Sequence, residues 1–216
     1  MKKYWQFIKE SRDTEIYEIC KRCEIENYTI NDDGSIDVDG DVDIGSKGLE
    51  RIPIKFREVT GDFSCYKNNL TSLDGCPKIV GGYFNCSNNK LTSLKGCPDR
   101  VGRDFICSYN NLASLVGGPE RVGRGFYCSL NNLITLEGFP LYFDTDKPVS
   151  TIDNPIHEIY KLFDDPKAIE LMNDYGLINS QDMEVSYTIL QEIFEELGKT
   201  PPQFEDIRLE HYTLVE

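Results

Sequence analysis

Residues 84–102 read FNCSNNKLTSLKGCPDRVG, and the spacing inside this stretch returns along the chain. Phe63, Phe84, Phe105 and Phe126 stand 21 residues apart. So do Cys65, Cys86, Cys107 and Cys128, and so do Asn68, Asn89, Asn110 and Asn131. Two leucine columns keep the same step: Leu70, Leu91, Leu112, Leu133 and Leu73, Leu94, Leu115, Leu136. Gly75, Gly96, Gly117 and Gly138 close each unit together with Pro77, Pro98, Pro119 and Pro140. The pattern is F-x-C-x-x-N-x-L-x-x-L-x-G-x-P-x-x-V-G. A degenerate unit precedes it through Val42, Ile44, Leu49, Ile52 and Val59. A sixth follows with a two-residue insertion, through Val149, Thr151, Asn154, Ile156 and Ile159.

F-x-C alternates with period two, so each unit opens with a short strand. A strand that returns every 21 residues stacks in parallel on its neighbours, and the rest of the unit forms a return arc turned by Gly and Pro. Phe, Cys and Leu fill the inside. The Asn side chain, turned inward where the chain leaves the strand, satisfies loop N–H and C=O groups that burial would leave unpaired.

These residues resemble the leucine-rich repeat, L-x-x-L-x-L-x-x-N/C-x-L, over about residues 27–160. Phe takes the second apolar position, Cys the third, and Asn and Leu match. The first apolar position departs, with Thr60, Gly81, Gly102 and Gly123 there and Val59, Val80, Val101 and Val122 one residue earlier. The stretches GCPKIVGGYFNCSNNKLTSL and NYTINDDGSIDVDGDVDI are also similar to short repeat proteins encoded by large tailed bacteriophages. The resemblance implies an α/β repeat fold: a leucine-rich-repeat solenoid with short parallel strands on its concave face and helical caps at both ends. It implies a phage-encoded binding scaffold acting in the host cytoplasm.

Three regions are expected: an N-terminal helical cap and hairpin over 1–40, the solenoid over 41–160, and an acidic helical cap over 161–216. Charge divides the chain similarly. The net charge is −14, with −4 over residues 1–60, +2 over 61–140 and −12 over 141–216. That balance argues against direct nucleic-acid binding, which needs a basic footprint. No stretch has the length of a membrane span. The start, MKKYWQFIKESRD, has charges where a secretory signal needs its apolar run, so a cytosolic protein with eight cysteines as thiols is expected. The sequons at Asn27 and Asn69 then carry no meaning.

In the N-terminal region Tyr4, Trp5, Ile8, Ile16, Ile19, Cys20 and Cys23 suggest one or two amphipathic helices, broken near Ser11–Asp13. TINDDGSIDVDG reads as a hairpin about Asp33-Gly34. Asp165-Pro166 opens a helix over about 166–174, an earlier one runs from about His157 to Phe163, and Ile189, Leu190, Ile193, Phe194 and Leu197 mark a third.

Candidate chemistry gives way to packing at each point. A column of single thiols cannot converge four ligands on one zinc ion. Cys20 and Cys23 share a helical face and lack a second pair. Asp37, Asp39, Asp41 and Asp43 suggest calcium, but the EF-hand register needs Gly where Ile44 stands, and Ile36, Val38, Val42 and Ile44 fit a strand with an acidic outer side. Gly123-Arg-Gly125 is the recurring turn. The two histidines, His157 and His211, belong to no recognisable motif. No catalytic residue, cofactor or metal is expected.

What remains is surface. Residues flanking Phe and Cys should point outward, and several are apolar or aromatic. Tyr66, Tyr83, Asn85, Asp104, Ile106, Tyr109, Tyr127 and Leu130 are the expected partner-binding residues of a non-catalytic module. Arg100, Arg103, Arg121 and Arg124 add a basic patch suited to an acidic partner surface. The expected partner is a host-encoded or defence protein. Two other functions fit the sequence: nucleic-acid mimicry by the acidic C-terminal region, and homo-oligomeric assembly through sheet edges or the aromatic strip.

Overall fold

The computed structural model describes residues 2–144 and 146–216, with the backbone alone for residues 2–5 and 7. The chain winds into a parallel β-solenoid of about five turns at close to 21 residues per turn. Each turn contributes two short strands. One sheet has seven strands, in the order Tyr28–Ile30, Ile36–Val38, Phe56–Val59, Ile79–Val80, Arg100–Val101, Arg121–Val122, Tyr142–Phe143. The other has six, in the order Val42–Asp43, Phe63–Ser64, Phe84–Asn85, Phe105–Ile106, Phe126–Tyr127, Val149–Ser150. All pairings in these two sheets are parallel except the hairpin joining Tyr28–Ile30 to Ile36–Val38.

The second strand corrects the reading of a strandless return arc. Val80, Val101 and Val122 are buried while Ile79, Arg100 and Arg121 beside them face outward, which is strand alternation in two residues. A run of two is too short for periodicity to reveal. The sharp corner between the two strands explains the departure from the leucine-rich-repeat pattern. A Cβ on Gly102 would overlap the carbonyl oxygen of Gly81, and one on Gly123 would overlap that of Gly102. Coils touch backbone to backbone there, so Gly81, Gly102 and Gly123 leave no room for a side chain.

The interior holds the expected columns. The four repeat phenylalanines, the four cysteines and both leucine columns are buried. Phe63, Phe84, Phe105 and Phe126 stack with centroids 5.7, 5.4 and 5.2 Å apart in succession. Offset pairs of this kind add about 0.5–1.5 kcal/mol each beyond burial. All eight cysteines are free and buried. Burial pushes the Cys97 and Cys128 thiols up to about 12 and the Cys20 thiol up to about 11.

The asparagine column is a cross-coil clamp. Asn110 Nδ2 donates to Cys107 O in its own coil and to Cys86 O in the coil before, both at 3.1 Å. Its Oδ1 accepts from Leu91 N at 3.0 Å. Asn68, Asn89, Asn131 and Asn154 repeat the arrangement, and Asn154 confirms the inserted sixth unit. Among the described residues no buried side-chain N or O atom lacks a partner.

Of the one or two helices expected, the N-terminal segment forms one, α1 (Lys2–Cys23), unbroken at Ser11–Asp13. Arg12 pairs with Asp13 and donates to the carbonyls of Asn31 and Asp32, so the polar stretch ties α1 to the hairpin. Ile16, Cys20 and Cys23 are buried on one face, as expected; the Tyr4 and Trp5 side chains lie outside the described residues. Lys21 and Arg22 in the last turn complement the helix dipole.

The C-terminal region places α2 (His157–Phe163), α3 (Lys167–Asp174) and α4 (Tyr187–Glu196) close to their expected positions. It also forms a three-stranded sheet that sequence reading missed. Ile178–Asn179 pairs antiparallel with Glu184–Ser186, which pairs in parallel with Thr213–Val215. Tyr212 Oη donates to Ile134 O at 2.7 Å and Asn173 Nδ2 to Leu136 O at 3.1 Å, joining this region to the last coils. The apolar core runs without interruption from Ile16 to Tyr212.

Candidate interaction surface

The outer side of the six-stranded sheet carries four in-register columns. The first holds Asp41, Asp62, Tyr83, Asp104 and Gly125. Asp41 accepts from Asp62 N at 2.7 Å, Asp62 from Tyr83 N at 2.8 Å, and Asp104 from Gly125 N at 2.8 Å. Asp104 is therefore engaged in holding the next coil. Tyr83 is half-buried, and burial followed by the nearby Asp62, Asp43 and Asp41 raises its hydroxyl above the ordinary range. The four aspartates of the acidic stretch are spread over the coils: Asp37 pairs with Arg57, Asp39 accepts from Thr60 Oγ1, Asp41 from Asp62 N and Asp43 from Gly45 N. They span two strands, Ile36–Val38 and Val42–Asp43, with a corner at Gly40 between them. Among the described residues no three His, Cys, Asp or Glu side chains are grouped to hold a metal ion.

In the second column Asn85 accepts from the N–H and hydroxyl of Ser87, and Ile106 and Tyr127 follow it, both half-buried. The Tyr127 ring lies over Gly125, where a Cβ would stand 2.5 Å from it. Tyr66, in the third column, lies over Gly45 in the same manner. These tyrosines lie along the sheet instead of standing out from it.

Tyr109 and Leu130 lie just past the strand residues, in the column the spacing gives them. They are left-handed residues, with φ of 57° and 56°, at a turn that every coil repeats at Ser46, Lys67, Asn88 and Asp153. A clamp Asn follows the left-handed residue at Lys67, Asn88, Tyr109, Leu130 and Asp153, while Lys47 follows Ser46, so the turn belongs to the coil and not to the Asn alone. Sequence spacing gave the register of this column but not its conformation, because Tyr and Leu are poor left-handed residues. Tyr109 is 54% exposed. Together with Lys67, Asn88 and Asp153 these two residues line an open groove of about 560 Å³.

Two other hollows lie in the C-terminal half. One, of about 880 Å³, is lined by both histidines with Glu158, Lys161, Arg208 and Phe194. Its groups are bonded internally: Thr151 Oγ1 lies 2.9 Å from His157 Nδ1, and Glu158 accepts from Glu210 N and His211 N at 2.7 and 2.9 Å. The other, of about 430 Å³, opens where Gly118 and Phe139 replace the Cys76 and Cys97 column, against Ile169 and Asn173 of α3. Carboxylates of the acidic region also serve the fold: Asp165 meets Lys199 at 3.3 Å and accepts from Lys167 N, and Glu196 accepts from Tyr175 Oη.

No family model, curated protein or solved structure matches the chain with significance. No helix among the described residues is long and apolar enough to cross a membrane.

Proposed function

We propose that this chain is a non-catalytic protein-binding module of the leucine-rich-repeat type, its core closed at the ends by the helical segments. It acts on a host-encoded protein, a partner class taken from the resemblance to phage repeat proteins. The docking surface is the outer side of the six-stranded sheet toward its C-terminal coils. The observation that carries this reading is the pair Tyr109 and Leu130. A left-handed L-residue costs roughly 1–2 kcal/mol, and the other coils put Ser46, Lys67, Asn88 or Asp153 at this turn. Tyr109 is exposed and Leu130 half-buried beside it, and bulky apolar groups held in a strained surface turn are a signature of use rather than of packing. Ile106 and Tyr127 continue the strip beside them.

Capture from bacterial lysate on the immobilised full chain tests the reading, with Tyr109→Ala/Tyr127→Ala as the comparison. A specific partner retained by the wild type and lost by the variant is expected. Equal recovery of every retained protein would remove this strip from the interface.

A further inference from the structure

Arg100 and Arg121 are directly opposed in adjacent parallel strands. Arg103 and Arg124 are stacked in the same way at the corner, where Arg124 N donates to Arg103 O at 3.1 Å. Like charges facing across strands are destabilising. Elsewhere on this side of the solenoid, cations meet carboxylates of a neighbouring coil: Lys55 meets Asp33 at 2.8 Å, Arg57 meets Asp37, and Lys78 meets Asp99 at 3.6 Å. Among the described residues none of the four arginines makes an ion pair. Arg121 instead lies over the Tyr142 ring, 4.6 Å from its centroid.

The arginines and the apolar strip belong to the same two coils, with Arg100 and Arg121 on the seven-stranded sheet, Arg103 and Arg124 at the corner, and the strip following on the six-stranded sheet. Reading along one coil gives Arg100, Arg103, Ile106 and Tyr109; the next gives Arg121, Arg124, Tyr127 and Leu130. In the coil before, the corresponding residues are Ile79, Gly82, Asn85 and Asn88. The two-part character is thus confined to a pair of neighbouring coils.

Resting on the protein-binding reading, we infer that these two coils form one bipartite docking surface whose occupant is an acidic protein segment bearing an apolar or aromatic cluster beside its carboxylates. Guanidiniums fork onto carboxylates at one end, and the side chains of Ile106, Tyr109, Tyr127 and Leu130 meet the apolar groups at the other. A nucleic-acid strand fits less well. The arginine track is two rungs wide, roughly 5 Å from rung to rung, too short to follow the row of phosphates along a strand.

Panning a displayed library of random peptides against the full chain tests this. Selected peptides should combine Asp or Glu with an adjoining apolar cluster. A synthetic representative should bind the wild type and lose at least about tenfold in affinity to Arg100→Glu/Arg121→Glu, a surface variant whose fold is checked by circular dichroism. Enrichment of basic peptides, no enrichment, unchanged binding to the arginine variant, or tighter binding of a single-stranded oligonucleotide would each overturn the inference. Loss confined to Tyr109→Ala/Tyr127→Ala would also overturn it, while leaving the proposed function standing. Failure of lysate capture alongside arginine-dependent peptide binding would do the reverse.

Discussion

Removing one rung of the asparagine clamp should damage the solenoid in a pattern that the hydrogen bonds dictate. In Asn110→Ala, Leu91 N loses Asn110 Oδ1, its one partner among the described residues. A buried unpaired N–H costs about 1–3 kcal/mol, and each further lost bond about 0.5–1.5 kcal/mol net. The carbonyls fare better. Cys86 O keeps Asn89 Nδ2 at 3.0 Å, and Cys107 O keeps Asn131 Nδ2 at 3.1 Å. The single variant should therefore lose about 2–6 kcal/mol. In Asn110→Ala/Asn131→Ala, Cys107 O loses both side-chain donors. The double loss should exceed the sum of the singles by about 1–2 kcal/mol. Asn68→Ala/Asn131→Ala shares no carbonyl and should be additive. Urea unfolding in a sulfate background, which strengthens effective burial, keeps the weaker variants measurable. A loss under 1 kcal/mol for Asn110→Ala, or equal coupling in both pairs, would refute the shared-carbonyl clamp.

Three further outcomes are expected. Gly102→Ala should destabilise by about 1–3 kcal/mol in urea unfolding, because the added Cβ meets Gly81 O; a change within experimental error would contradict the close coil contact. Leu130→Asn should raise stability by up to about 1 kcal/mol while weakening partner capture, since Asn tolerates the left-handed turn that Leu strains; a less stable variant would show that Leu130 is a packing residue. Stability should also fall above about pH 9. The Cys97 and Cys128 thiols are held up to about 12, so the folded state keeps protons that the unfolded state releases. Each such thiol lowers stability by about 1.4 kcal/mol per pH unit through that range; a urea midpoint unchanged from pH 8 to pH 10 would contradict their burial.

The interior was legible in the sequence because each inward column repeats one residue type at one step. Phe84, Cys86, Asn89, Leu91 and Leu94 lie where the 21-residue period puts them. The Val80 to Val122 strands escaped notice because two residues cannot establish an alternation. Thr213–Val215 escaped because a parallel partner 29 residues earlier in sequence, such as Glu184 for Thr213, leaves no local signal. At the surface, period alone placed Tyr109 and Leu130 in the correct column. It could not show that their backbone is left-handed, because Tyr and Leu rarely adopt that conformation and nothing local in the sequence marks it. The arginine pairs were visible as residues, and their meaning lay in register: only the pairing of Arg100 with Arg121 shows that like faces like.

Hydroxyl-radical footprinting of the full chain with and without its captured partner addresses the docking surface most directly. Tyr109, 54% exposed in the free chain, should lose reactivity on binding together with Leu130 and Tyr127, while Tyr17 at 53% and Tyr175 at 38%, on α1 and just past α3, keep theirs. Protection that falls on Tyr175 and Leu141, with Tyr109 as reactive as before, would place the interface in the C-terminal region and contradict the assignment to coils 100–130.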